Sequence, residues 1–150
     1  MNKAFVRKLL AVSIFGTAAT FIGHGALAAL RDPTWVGLFK DSLATMGMSV
    51  SPTTAEMLTQ AAGIADIMFG VLLVVMAWGL VAGGAMGRMM TSRITFYVLG
   101  VAVFWQLATA TAYVVAGASL VPGVWNFLQA SSAFVLPGLG IVLLRRLRRA

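Results

Sequence analysis

Two ionisable side chains stand inside long apolar stretches of this chain, His24 in "FIGHGALAAL" and Asp66 in "GIADIMFG", and no other histidine is present. An isolated charge in such surroundings shifts toward neutrality or is held at a steep energetic cost. A carboxylate that accepts from an imidazole satisfies both groups and can share a proton with it, so His24 is expected to pair with Asp66. Two uses of that pair stay open: a lock between helices, and a ligand-binding or proton-handling centre. Neutral polar groups accompany them. Gln106, Thr109 and Tyr113 recur at helical intervals, and Gln129 follows. The glutamines read first as hydrogen-bonding glue between helices, and all four residues are candidates for ligand contact.

The remaining chemistry is narrow. With no cysteine, thiol nucleophiles, thiolate metal sites and disulfides are excluded, and no metal site is expected. A single histidine forbids bis-histidine haem ligation and leaves only His24 with a methionine such as Met68. Asp66 is the one acid inside an apolar stretch, and no nucleophile, base and orienting group stand together, so an enzymatic role is left undecided.

The elements that must position these residues are helices in lipid. Hydrophobic residues make up 60% of the 150 and charged residues 10%, with a mean hydropathy of +0.94. No soluble domain of this size covers such a composition with polar surface. Four apolar segments, about 9–30, 57–81, 94–117 and 124–144, are each long enough to cross a hydrocarbon core of ~20 helical residues. Thr53 with Glu56 resembles a capping box at the start of the second. Each segment carries one narrow polar stripe. Ser13, Thr17, Thr20 and His24 line one face of the first, and Thr59, Gly63, Asp66 and Gly70 one face of the second. Lipid-facing polar atoms are costly, so the stripes turn inward. The fold class is all-α, an integral membrane four-helix bundle forming a single domain over 1–150. Counting the helical rise from the outer ends puts His24 ~9 Å and Asp66 ~13 Å deep, so the polar centre falls in the outer half. The opposite half, with Val71 to Val75, Val98 to Val103 and Gly138 to Leu144, is almost wholly apolar.

Lys3, Arg7, Lys8, Arg88, Arg93 and the terminal Arg145, Arg146, Arg148 and Arg149 all fall on one side of that arrangement. Both termini are therefore expected in the cytoplasm, in a bacterial cytoplasmic (inner) membrane crossed several times. A net charge of +7 arranged this way reports topology, not nucleic-acid binding. In the first outer connection Trp35, Leu38, Phe39, Leu43 and Met46 recur at helical spacing, predicting a short interfacial amphipathic helix that Gly47 ends. A rival reading takes residues 1–28 as a cleavable signal peptide with Ala26-Leu27-Ala28 as its small-residue site; the apolar run is longer than a signal core of ~7 to 15 residues, which favours retention.

The order "GHG", "RDP", an aromatic-bearing segment, "MG" before "SP", and then "GIADIMFGVLLVV" resembles the DoxX-like family of small four-helix membrane proteins over the first half of the chain. An acidic residue near the glycine-containing start of the second helix is common in that family, and Asp66 falls at the matching place. Members often carry Glu there and Lys after the first helix, where this chain has Asp66 and Arg31. One named member is a membrane subunit of a thiosulfate:quinone oxidoreductase. The resemblance thus implies an accessory or quinone-interacting subunit of a membrane redox system, with quinone as its cofactor, the lipid bilayer as surroundings, and other membrane subunits or a second copy as partners. In that role His24, Gln106, Tyr113 and Gln129 would donate to quinone carbonyls, with Trp105 and Phe134 as walls. The alternative is a non-catalytic structural or assembly subunit, for which Gly79, Gly83 and Gly87 offer a ladder for close helix approach. A channel or transporter lacks a charge ring, filter loop or inverted repeat.

Overall fold

The computed structural model describes the backbone of residues 2–115 and 120–149 and the side chains of 2–44, 46–109 and 135–149. Six helices and no strand occur among the described residues: α1 (Lys3–Ala29), α2 (Pro33–Thr45), α3 (Pro52–Ala82), α4 (Gly84–Met89), α5 (Arg93–Val115) and α6 (Leu120–Arg149). Of these, α1 and α3 are long and apolar enough to cross a membrane. The expected segments 57–81 and 124–144 lie inside the longer α3 and α6, 9–30 runs one residue past the end of α1, and 94–117 runs from α5 into 116–117, outside the described residues.

Local chemistry sets the helix ends. The Asn2 side chain accepts from the Ala4 N–H at 2.9 Å to open α1, and Arg31, at a φ of 57°, turns the chain out of it. That left-handed conformation usually belongs to glycine. Here the Arg31 side chain is held beyond the turn, donating to Gln60 Oε1 at 2.8 and 3.2 Å and lying 3.7 Å from Glu56. Asp32 then caps α2 through the Thr34 N–H, with Pro33 in the first turn, and Gly47, at a φ of 78°, follows its end as the spacing predicted. The capping box expected at Thr53 and Glu56 is displaced. Ser51 is the cap, accepting from the Thr54 N–H at 3.1 Å, because Pro52 has no N–H to satisfy and its fixed φ suits the first helical position. Glu56 faces Arg31 instead.

The α4 helix was not foreseen. Gly83 and Gly84 both take positive φ, 72° and 59°, which stops α3 and starts a second short helix folded back on it. A Cβ on Gly79 would stand 3.0 Å from Met90 Cγ and 3.1 Å from Met86 Cγ, and one on Gly87 would stand 3.4 Å from the Gly79 carbonyl oxygen. The glycine ladder is thus used within the chain.

The α1 and α3 backbones touch. A Cβ on Gly25 would sit 2.6 Å from the Gly63 carbonyl oxygen, and one on Gly70 would sit 2.6 Å from Ile22 Cγ1 and 3.1 Å from the Ala18 carbonyl oxygen. The pairing of early α3 with late α1 makes the two helices antiparallel. Toward the terminal end this seam opens into a shared interior of Leu10, Ile14, Leu73, Ala77 and Leu80, joined by Leu99 and Ala102 of α5 and Leu143 and Leu144 of α6. Outward faces are apolar too, with Val12 and Phe15 on α1, Met68, Val71 and Trp78 on α3, and Val101 and Phe104 on α5 all exposed.

Candidate functional site

Above the close α1–α3 contact the helices leave room for a cavity of about 370 Å³, lined by α1, α3 and α5 and roofed by α2. That volume falls within the range of ~300 to 1,000 Å³ usual for small-molecule sites. Trp35, Leu38, Phe39 and Leu43 supply the roof, Ala28, Ala62 and Gly63 the floor, and Trp105 and Ala108 a wall. The spacing that makes α2 amphipathic is what aims one apolar face of it at the cavity.

His24 and Asp66 both reach this cavity, yet they do not pair. Among the described residues they share neither a hydrogen bond nor an ion pair, Arg31 with Glu56 being the sole ion pair found. The His24 ring lies against Trp35 instead, 5.2 Å between centroids at 46°. The Asp66 side chain lies beside the Trp105 indole, which lines the same cavity. The reason lies at the seam. Gly25 and Gly63 bring the two backbones into contact, so side chains beside that contact leave it sideways into the cavity, where each meets an indole.

Gln106 is 2% exposed and lines the same space, and its Oε1 has no hydrogen-bond partner among the described residues. The expectation that it glues helices together fails at that atom. Buried acceptors without partners are rare and each calls for an explanation. Thr109 also lines the cavity, and its hydroxyl donates to the Trp105 carbonyl at 2.9 Å, so its proton is already committed within α5. Thr59 does the same through the Ala55 carbonyl at 2.7 Å. The side chains of Tyr113 and Gln129, and of Phe134 proposed as a wall, lie outside the described residues.

Comparison with protein-family models, curated proteins and solved structures finds no match. The chemistry of the site must therefore be read from its own atoms. It offers a carboxyl, an imidazole and a buried amide within apolar and aromatic walls. Among the described residues no group of three or more potential metal ligands gathers. Such an arrangement can accommodate an apolar ring that carries polar substituents.

The residues that sequence reasoning left out of the site are mainly the roof. Trp35, Leu38 and Phe39 were read as interfacial anchors and lid, and the lid half of that reading matches their place over the cavity.

Proposed function

We propose that this chain is a DoxX-like integral membrane protein in which α1, α3, α5 and α6 form a four-helix bundle. In this reading both termini lie in the cytoplasm, α2 rests at the outer interface, and the cavity beneath it takes a quinone-class ligand for a membrane redox system. The observation that carries the ligand reading is the unpartnered, buried Gln106 Oε1 inside an apolar cavity. A buried acceptor is satisfied when a ligand brings a hydroxyl, and a flipped amide presents its N–H₂ to a carbonyl, so Gln106 can meet either the reduced or the oxidised form of a quinone. Asp66 and His24 add an acceptor and a group able to donate or accept, and Trp35 and Trp105 give flat apolar surface to a ring. When bound, such a ligand would supply the two-electron chemistry; the chain's own residues hold it, exclude water and exchange protons at its oxygens.

The topology rests on charge. Nine of the eleven Lys and Arg residues fall at the N-terminus, between α3 and α5, or at the C-terminus. Retention of the first segment is supported by its long contact with α3, since Leu10, Ile14 and Phe21 would leave the interior with it.

Quinone content of protein extracted with its native lipids tests the ligand. About one quinone per chain is expected, falling several-fold in Gln106→Leu and His24→Ala. Content no higher than the co-extracted lipid explains, and equal in both variants, removes the quinone reading. Reporters fused to each terminus test the topology separately, a periplasmic signal from either one overturning it.

A further inference from the structure

At the opposite end of the molecule from the cavity, the start of α5 and the end of α6 enclose a second cleft of about 310 Å³, lined by Arg93, Phe96, Tyr97, Arg145 and Arg148. Three exposed arginines line it, and no acidic side chain is among its lining residues. The chain has only four acidic residues, Asp32, Asp41, Glu56 and Asp66, and all lie between the α1–α2 turn and the first half of α3. Like charges gathered into one cleft repel unless an anion joins them.

The arginines are also held in ways that leave their donors free. The Arg145 guanidinium lies over the Phe96 ring, 5.3 Å from its centroid, an attraction to the ring face that uses none of its five N–H groups. Arg148 spends its Nε–H on the Thr91 carbonyl at 3.0 Å, which anchors the side chain to the turn before α5 and leaves its two terminal nitrogens available. Phe96 and Tyr97 meet edge to face at 6.2 Å and form an apolar wall beside the charged groups. A fork of guanidinium donors matches a tetrahedral oxyanion, and an apolar wall beside it suits the glycerol and acyl start of a lipid.

We propose that this cleft is a binding site for a phosphate-bearing anion, with the headgroup of an anionic phospholipid as the expected source. It is distinct from the cavity and does not depend on the quinone reading. A topogenic role for the terminal arginines would treat all of them alike, whereas the geometry separates them: Arg145 and Arg148 line the cleft, and Arg146 and Arg149, in the same last turns of α6, do not.

That separation supplies the test. The full chain, purified in non-ionic detergent and stripped of lipid, is titrated with short-chain phosphatidylglycerol and read by native mass spectrometry, alone and against inorganic phosphate as competitor. Helix content by circular dichroism checks that each variant is folded, which exposed arginines on a helix surface should allow. Arg145→Gln with Arg148→Gln is expected to weaken the lipid adduct about tenfold, while Arg146→Gln with Arg149→Gln, identical in charge removed, changes it less than about twofold. Failure of millimolar phosphate to compete marks the lipid as the source. Competition by phosphate, with the same dependence on Arg145 and Arg148, supports the site with a soluble phosphate as its ligand. Equal weakening by both pairs, or no adduct from either probe on the unaltered chain, overturns the proposal.

Discussion

Around Leu10, Leu80, Leu99 and Leu144 the helices leave no side-chain surface exposed, whereas a few turns away Trp105 stays 43% exposed and α1, α3 and α5 part around a cavity. Three buried polar side chains follow the same division, although Arg7 Nε and Ser92 Oγ, at the closed end, also have no partner among the described residues. In the closed half Ser13 and Thr17 are buried, but the Thr17 hydroxyl donates to the Ser13 carbonyl at 2.9 Å and Ser13 donates to the Leu136 carbonyl. In the open half Gln106 is buried as deeply and its oxygen has no donor among the described residues. Polar residues thus serve opposite ends on one scaffold. Ser13 and Thr17 are satisfied within the protein, whereas Gln106, beside an open cavity, leaves an acceptor for a group from outside.

The contrast is sharpest in stability. Leu73 is fully buried against α1, so Leu73→Ala should cost about 3 kcal/mol, the lost contacts plus the void left behind. Leu43 of α2 already faces empty volume, so Leu43→Ala should cost less than about 1 kcal/mol, there being no tight surroundings to disrupt. Unfolding of each variant in the same micelle, followed by circular dichroism, compares them; equal losses would mean that the two halves do not differ in tightness. Next in size is the boundary between them. Gly63→Ala places a methyl against the Ala29 amide nitrogen and 2.6 Å from the Gly25 carbonyl oxygen, backbone atoms that cannot swing aside. A loss of about 2 kcal/mol is expected, measured in the same way, with little change if α1 and α3 can simply slide apart.

Sequence pattern reached the closed half more easily than the open one. Hydropathy alone placed apolar segments over most of α1, α3, α5 and α6, to within a few residues at their ends, and the spacing from Trp35 to Met46 placed α2 with its end near Gly47. Helical stripes fixed which residues of one helix share a face, so Gly63 and Gly70 fell at the contact with α1 and His24 and Asp66 at one cavity. A stripe does not fix which neighbouring helix its residues meet. The His24–Asp66 pairing failed on that point: the His24 ring lies against Trp35 of α2 and Asp66 beside Trp105 of α5, across sequence distances that no periodicity encodes. The α4 helix was missed for a different reason. Its "GGAMG" reads as a breaker, and only the fit of Gly79 against Met86 and Met90 lets it form a turn of helix.

Gln106→Leu probes the open half without loosening the molecule. Replacing an amide whose oxygen lacks a partner by an apolar group of similar size removes a desolvation cost, so stability should hold or rise by up to about 1 kcal/mol. Quinone retention should fall at the same time, a separation that a merely structural glutamine could not give. A clear loss of stability would show that Gln106 is satisfied in the folded protein, and the ligand argument would lose its main support.

The smallest effect is expected from Thr17→Val, in the stripe that also contains His24. The Thr17 side chain is 0% exposed, and by burial alone it would rank with Gln106 as a polar group worth keeping. Its hydroxyl, however, bonds only to a carbonyl one turn earlier in its own helix, an acceptor that the helix already employs. Valine keeps the branched shape and removes the hydroxyl and its single bond together, so no buried donor is stranded. A change within about 0.5 kcal/mol follows, below the average of roughly 0.6 kcal/mol for side-chain hydrogen bonds between membrane helices. Were Thr17→Val to cost more than Leu43→Ala in the same unfolding experiment, the Thr17 hydroxyl would have to bond across helices. The stripe would then be a structural lock in both halves, and burial without a partner would no longer set Gln106 apart.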